Sequence, residues 1–112
     1  MPKDKTIDRL FKAIRVTDEQ IDLVDRILDL ESDNQRIYSI NLFFDTVHYG
    51  GIWADVILMQ NFRDLNEFKN YLSKNSIPTE YAWKDDKGDR YSLKAKGILA
   101  EFYVPDMYPK KK

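Results

Sequence analysis

Residues 38–60, Y-S-I-N-L-F-F-D-T-V-H-Y-G-G-I-W-A-D-V-I-L-M-Q, decide the fold. Before them apolar residues recur at helical spacing; here the period drops to two. Tyr38, Ile40, Leu42 and Phe44 fall on one face of an extended strand, and Ile37, Ser39, Asn41, Phe43 and Asp45 on the other. Residues 46–51, T-V-H-Y-G-G, read as a loop, because adjacent glycines favour a turn with positive φ. Residues 52–60 form the partner strand. Ile52, Ala54, Val56 and Leu58 on one side and Trp53, Ile57 and Met59 on the other make it apolar on both faces, the pattern of a central strand covered on both sides.

Two helices are predicted upstream. Ile7, Leu10, Phe11 and Ile14 recur at i, i+3, i+4 and i+7, which predicts a helix over 6–15 with one buried face and a basic flank of Lys5, Arg9 and Lys12. The next helix begins at Thr17. Thr17 with Gln20 makes a capping box, Val16 with Ile21 a hydrophobic staple, and Asp18 and Glu19 suit the positive end of the helix dipole. Barely two residues separate the helices, so they form a tight corner.

Downstream, Asp64 caps a helix over 64–73 that turns Leu65, Phe68, Tyr71 and Leu72 inward, and Pro78 prevents its continuation. Strands over 80–84 and 90–96 are joined by D-D-K-G-D, with Gly88 at the left-handed position. Gly97 marks a bulge or bend before a last apolar strand over 98–104. The expected fold is α+β in the order ααββαβββ, with an antiparallel sheet of four to five strands. Residues 1–104 make a single domain and 105–112 a basic tail.

Composition narrows the function classes. With 112 residues, 43% hydrophobic, there is one core. The chain has no cysteine, which removes disulfides, thiolate ligands and cysteine nucleophiles, and its single histidine, His48, cannot build a histidine-rich metal site. The first ten residues are charged throughout, unlike a signal peptide, and no apolar run approaches the ~20 residues of a membrane helix. A soluble, cytoplasmic protein without cofactor or metal is expected. Charge is balanced overall, 18 Lys+Arg against 19 Asp+Glu, but not locally: residues 17–34 hold seven acidic groups and Arg26 alone as a cation, between two basic segments.

That acidic block is the most informative pattern. Asp18, Asp22, Asp25 and Asp29 recur at i, i+4, i+7 and i+11, and Asp33 continues the row along one narrow helical stripe. Like charges at i,i+4 destabilise a helix by roughly 0.2–0.5 kcal/mol per pair. A row kept at that cost points to a partner protein with a basic surface; the plainer reading is a solvated face, partly neutralised by the basic flank of the preceding helix. The expectation is a small non-enzymatic interaction factor, of the inhibitor, antitoxin-like or immunity-like kind. The alternative is a nucleic-acid-binding module that uses Lys84, Arg90, Lys94 and Lys96 of the last hairpin with the basic tail. Against it, period two sends Tyr81, Trp83, Tyr91 and Leu93 to the core and leaves the cations on the opposite face.

Other constellations point to no chemistry. His48 lies near Asp45 and Tyr49 but lacks any nucleophile context, and the glycines form no phosphate loop. Asp85, Asp86 and Asp89 miss the ligand spacing of a calcium loop, which has glycine sixth and glutamate twelfth. Asp55 and Glu101 could meet in space as a carboxylate pair, which spacing alone does not establish.

Overall fold

A computed structural model describes residues 17–45, 51–85 and 90–105. The helix expected over 6–15, the loop carrying His48, most of the D-D-K-G-D turn and the basic tail lie outside the described residues. Within them the protein is α+β: helix α1 (Asp18–Leu28) continuing into a 3-10 turn (Asp29–Ser32), strands β1 (Ile37–Asp45) and β2 (Gly51–Leu58), helix α2 (Leu65–Lys74), and strands β3 (Ala82–Lys84), β4 (Tyr91–Ala95) and β5 (Ile98–Tyr103).

Both helices start where the sequence places their caps. The Gln20 amide donates to Thr17 Oγ1 at 3.1 Å and the Thr17 amide to Gln20 Oε1 at 3.0 Å, which completes the capping box. The Asp64 carboxylate accepts from the Glu67 amide at 2.9 Å and caps α2. Leu23 and Ile27 of α1, Leu30 after it, and Phe68 and Leu72 of α2 pack on one face of the sheet, against Ile52, Ala54, Val56, Leu58, Tyr91, Leu93, Ile98, Ala100 and Phe102. Phe62 sits at the centre of the aromatic part of this core, with ring centroids 5.1 Å from Phe68 and 5.5 Å from Tyr91.

The five strands lie in the order β1-β2-β5-β4-β3. The sheet is not wholly antiparallel, as the alternation suggested: β5 inserts between β2 and β4 and runs parallel to β2, with Ile52 opposite Ile98 and Val56 opposite Phe102. The intervening α2, β3 and β4 supply the long crossover that a parallel pair requires. A period of two is the same in either direction, so the sequence pattern does not report it.

Three local expectations take a specific form, and the first of them changes. A register shift between Ile37 and Ser39 breaks the alternation of β1, so Ile37 shares the buried face with Ile40 and Leu42 rather than that of Ser39 and Asn41. Of the bulge or bend expected at Gly97, the structure has the bend: Lys96 (φ 56°) and Gly97 (φ 78°) form a two-residue turn that closes the β4–β5 hairpin at the Ala95–Ile98 pair. Helix α1 approaches this turn closely, since a Cβ on Gly97 would stand 2.8 Å from Gln20 Nε2. Finally, β2 is central, but the helices among the described residues cover only one of its faces. On the other, Trp53 and Asp55 are half-buried and Ile57 is buried.

Candidate functional site

Helix α1 presents its acidic residues to solvent because its apolar ones are committed to the sheet. Asp18, Asp22, Asp25 and Asp29 are all exposed, as the helical spacing requires. Asp22 pairs with Arg26 Nε at 3.1 Å, an exposed i,i+4 contact. Among the described residues no cation reaches ion-pair distance of Asp18, Asp25 or Asp29. Asp33 differs. It is half-buried, accepts a hydrogen bond from the Tyr71 hydroxyl at 3.0 Å, and turns the chain into β1 by accepting from the Gln35 and Arg36 amides at 3.3 Å. Burial and this bond to an anion push the Tyr71 hydroxyl far above its ordinary range.

Beside the stripe, α1 and the 76–80 segment enclose a groove of about 600 Å³. Glu19, Asp22 and Glu80 supply carboxylates to its lining, Leu23, Ile77 and Pro78 apolar surface. Two intramolecular cations border it: Lys96 Nζ reaches Glu19 at 3.0 Å, and the Arg26 guanidinium donates to the Ser76 carbonyl at 2.7 Å. The groove thus has an apolar floor and a rim on which Glu19 and Asp22 are already paired with Lys96 and Arg26, leaving Glu80 as its carboxylate without an ion pair among the described residues. Glu19 and Glu80 were not legible as site residues; Glu80 lines the groove with Asp22 only because the chain turns back after Pro78.

The four hairpin cations divide. The register pairs Trp83 with Ser92 and Ala82 with Leu93. Tyr91 and Leu93 are buried as expected, but Tyr81 and Trp83 are exposed, on the open face that also carries Arg90 and Lys94. The objection that aromatics and cations oppose each other is therefore corrected for this pair of strands. Lys84 lies on the other face, its ammonium 5.7 Å from the Tyr91 ring centroid, and Lys96 belongs to the turn beside α1. The structure brings Arg90 and Lys94 together and separates them from Lys84 and Lys96.

At the middle of the open face the parallel register sets Asp55 directly opposite Glu101. Glu101 accepts from Trp53 Nε1 at 3.1 Å and meets the Arg90 guanidinium at 3.3 Å, while that guanidinium lies 4.3 Å from the Tyr103 ring centroid. Burial raises the Asp55 carboxyl above its usual range, aided by the charge of Glu101; the hydrogen bond with Tyr103 and the Arg90 charge oppose the shift. Burial also raises the Tyr103 hydroxyl, with the Asp55 charge adding to it. This cluster of two acids and one base is paired at Glu101, whereas Asp55 Oδ1 is buried without a hydrogen-bond partner among the described residues. It holds no surplus positive charge for a phosphate.

Among the described residues no group of three or more His, Asp or Glu side chains is placed to hold a metal ion, and no helix is long and apolar enough to cross a membrane. Comparison with protein-family models, curated proteins and solved structures gives no match.

Proposed function

We propose that the protein is a small non-enzymatic interaction factor, of the inhibitor or immunity type, that engages a basic surface of a partner protein through α1. The carrying observation is the exposed row Asp18, Asp22, Asp25 and Asp29, three of whose members meet no cation among the described residues. The adjoining groove adds Glu80, whose carboxylate has no ion pair among the described residues, beside the paired Glu19 and Asp22. Asp33 serves the fold through Tyr71, so the reading stands on the other four.

The test is Asp25→Lys with Asp29→Lys, which spares the Asp22–Arg26 pair. Captured from a native-host lysate, the wild type should retain a basic protein that the double variant does not, with both melting alike. Retention should weaken as salt rises, because exposed charges are screened over ~8 Å at physiological ionic strength. Retention of the same protein by the charge-reversed variant would sink the proposal.

The nucleic-acid alternative has one observation in its favour, Tyr81 and Trp83 beside Arg90 and Lys94 on a single face. Asp55 and Glu101 at the centre of that face, one of them already holding Arg90, weigh against it. A single-stranded oligonucleotide that bound the protein with a steep salt dependence would reverse this order.

A further inference from the structure

The two edges of the sheet are built differently. β3 is three residues long, follows Pro78 and ends on Lys84, which are the usual devices that blunt an edge. β1 is nine residues long, contains neither proline nor a basic residue, and bears its only charge at its last position, Asp45. Its bulge near Ile37 leaves Ser39 to Asp45 in unbroken register with β2, so the outer backbone groups of that stretch form a regular template. The helix-covered side of this edge is apolar, and the open side carries Phe43 beside Ser39 and Asn41. Phe43 on the open face is 45% exposed and Phe44 on the helix-covered face 41%. Ile40 and Leu42, on the helix-covered face, are only partly buried, at the fringe of the core.

We propose that β1 is a homotypic docking edge, at which two copies of this chain pair antiparallel about a two-fold axis near Leu42 and join their sheets into one. A second copy fits where an arbitrary strand does not. The axis sets Phe44 of each copy opposite Ile40 of the other, which completes the cover over the partly buried Ile40 and Leu42, and sets Phe43 opposite Asn41 on the open face. Antiparallel pairing holds the two Asp45 positions roughly 20 Å apart at ~3.4 Å per residue, whereas parallel pairing would stack them. The contact is isologous and the described residues contain one such edge, so association closes at the dimer instead of growing into a fibre.

The experiment is analytical ultracentrifugation of the wild type and of two double variants, Asn41→Lys with Phe43→Lys and Asn41→Glu with Phe43→Glu. The wild type should show twice the mass of one chain, dissociating on dilution below about 1 μM–100 μM, the range of modest homodimers. Each double variant should sediment as a single chain with an unchanged circular dichroism spectrum, because like charges then face each other across the axis. An equimolar mixture of the two should regain the dimer, since every lysine meets a glutamate. If a double variant does not fold, Asn41→Lys alone, at an exposed position, should weaken the dimer by about tenfold. A wild type that stays a single chain at the upper concentration overturns the proposal, as does a dimer that folded double variants or Asn41→Lys leave undiminished. A single-chain wild type is also the outcome expected if β1 receives a strand from a different protein instead of a second copy.

Discussion

Along β2 and β5, neighbouring residues meet opposite surroundings. Ile52, Ala54, Val56, Ile98, Ala100 and Phe102 point to the helices and are buried, while Trp53, Asp55, Glu101 and Tyr103, interleaved with them, face the open side and are half-buried. The covered face is held by volume: aliphatic and aromatic side chains fill the space between sheet and helices. The open face is held by pairing, with an indole and a guanidinium on Glu101 and a phenol on Asp55. One sheet thus carries two kinds of stabilisation that differ in size and in their response to pH.

The sharpest test of this contrast is Phe68→Ala. Phe68 is fully buried between Phe62, Tyr91 and Phe102, and the cavity left by its ring should cost about 3–5 kcal/mol, read as a lower denaturation midpoint at unchanged m-value. A loss no larger than that of an open-face substitution would break the contrast.

A smaller effect concerns what keeps the cover in place. Thr17→Ala removes the side-chain acceptor of the Gln20 amide at the start of α1, and chemical denaturation should show a loss of about 1 kcal/mol. Gln20 also donates to the Lys96 carbonyl at 2.6 Å, so the same loosening should speed hydrogen exchange in the β4–β5 turn. Unchanged exchange there would mean that the cap and the turn are independent.

The smallest effect belongs to the open face. Because the folded protein raises the Asp55 pKa, the proton is held more tightly in the folded state, and ionised Asp55 works against folding. This contribution is absent below the ordinary carboxylate value and develops as pH rises through the raised one. Asp55→Asn removes it while keeping an acceptor for Tyr103. Relative to the wild type, the variant should therefore gain stability as pH rises from about 3 to 7. A gain confined to acid pH would invert the argument.

Much was legible before any coordinates, and particular residues show why. Thr17 with Gln20, and Asp64 ahead of Leu65, announce helix starts because capping is satisfied within a few residues of chain. The β1–β2 pairing follows from two apolar runs either side of a glycine pair. The exposure of Asp18, Asp22, Asp25 and Asp29 follows from 3.6 residues per turn once Leu23 and Ile27 are committed inward. All of these depend on neighbours in sequence, and local stereochemistry settles them.

What needed the tertiary structure is equally specific. Period two gives strands but neither their order nor their direction, so the parallel β2–β5 pair, and with it the meeting of Asp55 and Glu101, came only from the path of the chain through α2, β3 and β4. A one-residue difference in register moved Tyr81 and Trp83 from the core to the face of Arg90 and Lys94, because alternation assigns two sides without saying which one is inside. Asp33 belongs to the acidic row by spacing and to Tyr71 by folding. Sequence spacing determined which side chains share a local face; packing across distant segments decided what each face would meet.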